Sequence, residues 1–330
     1  MTDQASPALD VTVVTPTFNR ARLIERALDS VRLQTRRVAE IIVVDDGSRD
    51  GTPDIARAWG ERHGLPVRVV VMERNGGPAA ARNRGIELAR TAYVAFLDSD
   101  DEHLPDTLET LSGALDAQPS AVMSFGDATV VMPDAREPHG LFAPKIDIAR
   151  AATALGGDAF LLNDACEALL AASIIPTSAT CFRRDAALAV GGMPAQFRSG
   201  EDWLFFLRLT QRGRFVFTTR DVALHHRHDD NLTSPRAAEF VARQKLDGLL
   251  ALQRGTLGIE LSAPQQARVA TMLAAQWPAW RYHLSRMGLK TYAQGLAGHA
   301  GLQSQGTLQR LLADPRALAR AAAASMGLLR

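Results

Sequence analysis

Four short β-rich runs occupy the first hundred residues, and three of them end on residues with chemistry to offer. Val11–Thr15 leads into Pro16-Thr17, and Ile41–Val44 stops at Asp45-Asp46-Gly47-Ser48. Val67–Met72 precedes the loop Asn75-Gly76-Gly77-Pro78. Tyr93–Leu97 breaks off in the carboxylates Asp98, Asp100 and Asp101. Helical patterns fill the gaps: Leu23, Ala27, Leu28 and Val31 share one face, Ile55, Ala58 and Trp59 another, and Leu108, Leu111 and Leu115 a third. Thr52-Pro53 marks a helix start, with Thr52 as N-cap and Pro53 first in the helix. Ala79–Ala92 reads as helix. Strands that alternate with helices fold as βαβ units around a parallel sheet. Their continuous apolarity means that both faces are covered. Right-handed crossovers then bring the loops at Pro16, Asp45 and Asp98 to one edge. Open α/β sheets bind ligands at that edge.

The bulk numbers exclude several classes. With 330 residues there is room for one large domain or a domain with an appendage. A net charge of +1 gives no reason to expect nucleic acid as a partner. The start, MTDQASPALD, lacks the basic and apolar regions of a signal peptide. No stretch approaches the ~18 apolar residues of a membrane span. Cys166 and Cys181 are too few for a disulfide framework or a zinc site, and read as reduced thiols. The expectation is a cytoplasmic protein, or one peripheral at the inner face of a membrane.

Beyond Ala121 the pattern changes. Ala121–Val131 is β-rich, His139–Ala152 reads as loop, and Asp158–Ala172 as helix. Pro176–Phe182 looks extended, Glu201–Arg212 is helical, and Val216–Thr218 and Val222–His225 look like short strands. After Pro235 the chain is almost wholly helix-forming, with Val269, Met272, Leu273, Gln276, Trp277 and Trp280 on one face. The expected organisation is an α/β domain over 1–235, in halves 11–120 and 121–235, followed by a helical extension over 236–330. That extension could complete the core, form a homodimer interface or rest on a membrane.

Packed carboxylates repel one another, so a cluster such as Asp98–Asp101 commonly has a cation to hold. A solvated acidic turn is the alternative. Asp98 and Asp100, two apart on an extended segment, are expected to point the same way. Asp101 either joins them or caps the helix that starts near Pro105. Glu201-Asp202 opens a helix, where acidic residues are favoured by the macrodipole whether or not they do chemistry.

Four segments in this order, VTVVTPTFNR, IIVVDDGSRDGT, NGGPAAARNRGIELA with AFLDSDDEHLP, and GEDWLFFLRL, closely resemble the family 2 inverting glycosyltransferases of GT-A fold. The resemblance runs from Val11 to Thr233. It implies a Rossmann-like, mainly parallel sheet flanked by helices, as in nucleotide-diphospho-sugar transferases. It also implies a nucleotide-sugar donor, most simply a UDP-sugar, and a glycan or other hydroxyl acceptor, commonly in bacterial surface polysaccharide. Carried onto this chain, Pro16, Thr17 and Phe18 line the base pocket and Asp46 binds the nucleobase. Arg82 clamps phosphate or pairs with the acidic cluster. Asp98 faces the ribose and the metal shell, and Asp100 binds Mn²⁺ or Mg²⁺. His228, with His226 as second choice, is a further metal or phosphate contact. Asp202 is the general base and Glu201 its neighbour toward sugar hydroxyls. A metal suits this chemistry because it stabilises a departing diphosphate without a proton donor.

Two rivals are set against this. A catalytically silent nucleotide-sugar-binding or scaffold protein on the same fold is disfavoured by the presence of both Asp100 and Asp202. A sugar nucleotidyltransferase would want a glycine-rich phosphate loop near the N-terminus, and VTVVTPTFNR has none.

Overall fold

The protein is described from a computed structural model that covers residues 8–132, 136–140, 147–228, 237–302 and 306–328. The chain divides into two compact units, Met1–Asp229 and Asp230–Arg330.

The first unit begins as alternating strands and helices. These are β1 (Leu9–Thr17), α1 (Ile24–Arg32), β2 (Val38–Asp45), α2 (Thr52–His63), β3 (Val67–Val71), α3 (Pro78–Leu88) and β4 (Tyr93–Phe96). The strands β3-β2-β1-β4 lie side by side and all pair in parallel. Val11, Val13, Val14, Ile42, Val43, Val94 and Phe96 are essentially inaccessible, as double-sided cover requires. On one side Ile24, Leu28 and Trp59 pack against β1 and β2 in a common apolar cluster. On the other, α3 lies so close to β1 that a Cβ on Gly85 would sit 2.2 Å from Val14 Cγ1.

The sheet continues with β5 (Glu102–His103), α4 (Thr107–Ala117), β6 (Ala121–Val131), β7 (Arg136–Gly140), α5 (Ile148–Ala151), β8 (Ala152–Gly156) and β9 (Ala159–Leu162). Then come α6 (Ala165–Ala171), β10 (Thr180–Arg183), α7 (Arg184–Ala189), α8 (Glu201–Leu209) and β11 (Arg214–His226). β10 runs antiparallel between β4 and β6, and β11 is parallel to β6. The main path runs β3-β2-β1-β4-β10-β6-β11-β9-β8, with β5 paired to β11 and β7 to β6 beside it. A parallel Rossmann-like half is thus joined to a mixed half.

Several expected boundaries move, each for a local reason. Gly51, at φ 84°, takes the cap position of α2 and leaves Thr52 as the first helical residue. α3 stops at Leu88 because Ala89 is already extended. The stretch Asp158–Ala172 is a strand followed by a helix. Gly156 and Gly157 both have positive φ and close a hairpin between β8 and β9, and Asp164 caps α6 by accepting from Glu167 N at 2.8 Å. The expected loop at His139–Ala152 carries the end of β7 and all of α5, while 141–146 lie outside the described residues. Val216–Thr218 and Val222–His225 belong to one long strand with an irregular register. Thr177–Ala179 is a 3₁₀ turn rather than extended chain.

The second unit is helical: α9 (Ala238–Gln253), α10 (Ala263–Ser285), α11 (Leu289–Gly298), α12 (Thr307–Leu312) and α13 (Pro315–Ser325). Ser262 and Gln265 form a capping box at the start of α10. Trp280, Tyr292 and Leu249 are buried inside it, and the Trp280 indole donates to Glu239 at 2.9 Å. Among the described residues no helix is long and apolar enough to cross a membrane.

Candidate functional site

The carboxyl edge of the parallel half gathers the sequence-derived residues of the first two loops. Thr17, at the end of β1, stands opposite Asp45, at the end of β2. Asp45 turns inward and accepts from Ser48 N at 2.8 Å, closing its own loop. Asn19, with φ 52°, is the one non-glycine residue in the left-handed region among those described. Its amide donates to Ser48 Oγ at 2.7 Å, and its side-chain oxygen accepts from Arg49 N at 2.9 Å. These bonds tie the first two loops together and leave Phe18 exposed.

Asp46 is held by the third loop. Its two carboxylate oxygens accept from Gly76 N and Gly77 N, each at 2.7 Å. Gly77 has φ 87° and lies against the Arg198 stem, so both a left-handed backbone and close contact favour glycine there. Burial raises the Asp46 carboxyl above its ordinary value, against the two amide bonds and the charge of Arg198. A carboxylate has lone pairs beyond the two used here, so Asp46 can still accept from a nucleobase N–H. Thr17 Oγ1, beside it, is buried without a hydrogen-bond partner.

The acidic end of β4 is a turn, closed by Asp101 N donating to Asp98 O at 3.0 Å. The expected extended geometry is therefore absent, and the carboxylates separate. Asp98 goes to Arg82, whose Nη2 donates to Oδ1 at 2.5 Å. Asp100 goes the other way: its Oδ2 lies 2.9 Å from His228 Nε2 and 3.7 Å from Arg20 Nη2. Asp101 does not cap α4, whose cap position is Asp106. It is buried and accepts from Ser178 Oγ at 2.6 Å and from His226 N at 3.0 Å, with His225 Nδ1 at 3.3 Å. Burial works to raise the Asp101 carboxyl, but His225, Ser178 and His226 outweigh it and hold it low. Antiparallel pairing of β5 with β11 sets this register. Three histidines thereby meet three carboxylates: His225 with Asp101, His226 with Glu102 and His228 with Asp100.

The base candidate comes from α8. Glu201 is buried and accepts from Arg82 Nη1 at 3.0 Å, so it faces the protein interior. Burial, then the charge of Asp202, push its carboxyl up to about 7 against the pull of Arg82. Burial also raises Asp98, with Asp101 and Asp100 adding to it and Arg82 opposing. Burial alone would make Arg82 easier to deprotonate, yet Asp98 and Glu201 reverse that and hold it charged. Asp202 is only half-buried. Its Oδ2 accepts from Thr177 Oγ1 at 2.8 Å and its Oδ1 from Trp203 N at 2.7 Å. Asn83, next to Arg82, exchanges two bonds with the Met193 backbone, at 2.7 and 2.8 Å, and so fixes the chain leading into α8.

The structure thus brings Asp98, Arg82 and Glu201 into one ion-paired cluster, and Asp100 and His228 into another pair. The Asp100 carboxylate suits Mn²⁺ or Mg²⁺ when phosphate oxygens supply other positions. Among the described residues no three His, Cys, Asp or Glu side chains converge on a common point. Asp98 is committed to Arg82 rather than to such a point. Thr177, Ser178, Arg20 and Arg198 were not picked out from the sequence, although Arg20 lies in the PTFNR segment and Pro176-Thr177 is a turn signal.

Known proteins resemble this chain in sequence and in fold. The model of the family described as glycosyl transferase family 2 matches residues 12–175, ending before α8. A candidate teichuronic acid biosynthesis glycosyltransferase, TuaG of Bacillus subtilis, is 46% identical over 99 residues, 30% of this chain and 39% of its own. The succinoglycan biosynthesis protein ExoO of Rhizobium meliloti is 39% identical over 127 residues, 38% of this chain and 35% of its own. The matches thus span little more than a third of these relatives. Staphylococcus aureus TarS 1–349, solved with UDP-GlcNAc, superposes with TM-score 0.62 at 18% identity, covering 97% of this chain and 90% of that one. The mannosyltransferase PcManGT of Pyrobaculum calidifontis, solved with GDP-Man and Mn²⁺, gives 0.56 at 21%, covering 98% and 84%. The fold is GT-A-like.

Proposed function

The chain belongs, through residues 12–175, to glycosyl transferase family 2, and from that premise we propose that it is an inverting transferase moving a sugar from a nucleoside diphosphate to a hydroxyl acceptor. The observation that carries this reading is a shared anchorage. Asp202 and the acidic end of β4 are fastened to adjacent residues, Thr177 and Ser178, at the carboxyl edge of the sheet.

The proposed roles follow from position. The nucleobase lies between Phe18 and Asp46, with Pro16 and Thr17 as floor. Asp98 faces the ribose, its orientation set by Arg82. Asp100 and His228 would hold Mn²⁺ or Mg²⁺, which supplies charge stabilisation to a departing diphosphate. Asp202 accepts the proton of the acceptor hydroxyl as that oxygen bonds to the anomeric carbon. The bond from that carbon to the diphosphate breaks on the opposite face, so configuration inverts. Glu201, buried against Arg82, holds the start of α8 rather than touching sugar.

The donor is proposed to be a UDP-sugar. TarS, solved with UDP-GlcNAc, supports that choice, while PcManGT with GDP-Man keeps a guanine nucleotide in the comparison. The acceptor is proposed to be a glycan of bacterial surface polysaccharide, in line with the names of TuaG and ExoO. A screen of UDP-, GDP- and dTDP-sugars with Mn²⁺ and Mg²⁺, read as nucleoside diphosphate release, tests the reading. One donor class should turn over in a metal-dependent way. Calorimetry showing no affinity for UDP, GDP or dTDP with Mn²⁺ would sink it.

A further inference from the structure

We propose that Thr177 is a positioning residue for Asp202, and that the turn carrying it sets the spacing between base and acidic strand end. The inference rests on the reading of Asp202 as general base. Asp202 is the second residue of α8, so one of its oxygens is occupied by the helix itself, through Trp203 N at 2.7 Å. The other is held from outside the helix, by Thr177 Oγ1 at 2.8 Å. With both bonds the carboxylate plane is fixed. With one, it is free to turn about its own axis.

The turn is rigid enough to serve as a reference. Ala179 N donates to Pro176 O at 3.0 Å, and Thr180 Oγ1 donates to Thr177 O at 2.7 Å. Ser178 O and Phe96 O both accept from His103 Nε2, at 2.9 and 3.1 Å. Ser178 Oγ accepts from Asp98 N at 3.1 Å while donating to Asp101. Two neighbouring hydroxyls therefore grip the two ends of the site, Thr177 the base and Ser178 the carboxylates beside the donor. A catalytic group displaced by about an ångström loses on the order of 100-fold in rate, so such a ruler has value.

The charged groups near Asp202 are Glu201 on its own helix and Arg82 from α3. Thr177 is the neutral donor among them. Valine has the same branched shape without the hydroxyl, and serine restores the hydroxyl.

The test uses the full chain carrying Thr177→Val, Thr177→Ser or Asp202→Asn. Turnover of UDP-GlcNAc, UDP-glucose and GDP-mannose with Mn²⁺ is followed in each. For whichever donor is used, Thr177→Val should lower kcat on the order of 10- to 100-fold with donor KM unchanged. Serine should rescue the rate. An unchanged kcat in Thr177→Val beside a strongly reduced one in Asp202→Asn overturns the inference, and so does a loss of UDP affinity, read by calorimetry with Mn²⁺, that accompanies the loss of rate. Full turnover in Asp202→Asn overturns instead the assignment of the base. The two failures appear in different variants and are told apart.

Discussion

The Arg82 guanidinium closes on the Asp98 carboxylate at 2.5 Å, at the carboxyl edge of the sheet. Its other terminal nitrogen donates to Glu201 at 3.0 Å. One cation from α3 thus joins the end of β4 to the start of α8, the two places where the proposed chemistry is divided. Arg82 and Glu201 side chains are each 6% exposed, so water does little to compensate for a missing partner.

Arg82→Leu is expected to destabilise the first unit severely. Removing one partner of a buried ion pair costs roughly 3–5 kcal/mol, because an uncompensated charge stays behind. Asp98 is 26% exposed, which places the expectation at the lower end. Urea unfolding should show the loss, and adding Glu201→Gln should recover part of it. An Arg82→Leu protein as stable as the parent would mean that the cluster contributes nothing.

Gly85→Ala tests the seat of α3 on β1. Alanine gains about 1 kcal/mol of helix propensity over glycine. Its Cβ would meet Val14 Cγ1 at 2.2 Å and Cγ2 at 2.9 Å. Overpacking of this kind costs roughly 1–3 kcal/mol, so the net effect is expected to be destabilising. Pairing it with Val14→Ala should remove the clash and leave a positive coupling in a double-mutant cycle.

His103 should give the fold an acid-sensitive limb. Burial holds its imidazole down to about 4, against the carbonyls of Phe96 and Ser178 and the charge of Asp101. The unfolded chain takes up a proton near 6.5, so it binds more protons than the folded one between 6.5 and about 4. Stability is therefore lost as pH falls through that window. Glu201 acts with the opposite sign. Its folded value near 7 lies above the ordinary 4.5, so its contribution is lost as pH rises between them. Replacing His103 with glutamine isolates the first effect. The drop in unfolding free energy from pH 7 to pH 4.5 should shrink by about 2 kcal/mol.

The parallel half was legible because its signals are local. Continuous apolar runs, Thr52-Pro53 and the glycines at 76 and 77 each speak for their own few residues. The mixed half was misread where pairing over long separations decides the outcome. Ala159–Leu162 is a strand because β11 lies beside it, some sixty positions away in the chain. At the site, residue identities could be read but not directions. Nothing in Asp98-Ser99-Asp100 tells that a turn sends one carboxylate to Arg82 and the other to His228. Asp101 could be read as a third member of the cluster or as a helix cap, because its three partners, Ser178, His225 and His226, lie far along the chain. Thr177 escaped notice because its role depends entirely on the partner that folding delivers.

Asp100 and Asp202 should fail in different ways. Asp100 faces His228 and Arg20, on the side proposed for the diphosphate. Asp100→Asn keeps the shape but removes a hard anionic ligand, so Mn²⁺-dependent affinity for UDP should fall at least tenfold by calorimetry. Adding EDTA to the parent should reproduce that loss. Asp202 is fixed by Thr177 and Trp203, which places it on the acceptor side in this reading. Asp202→Asn should leave UDP affinity intact and lower kcat on the order of 100- to 10,000-fold, the range for a lost general base. If both variants lost UDP affinity equally, the separation of roles between the two carboxylates would be wrong, and α8 would belong to the donor pocket.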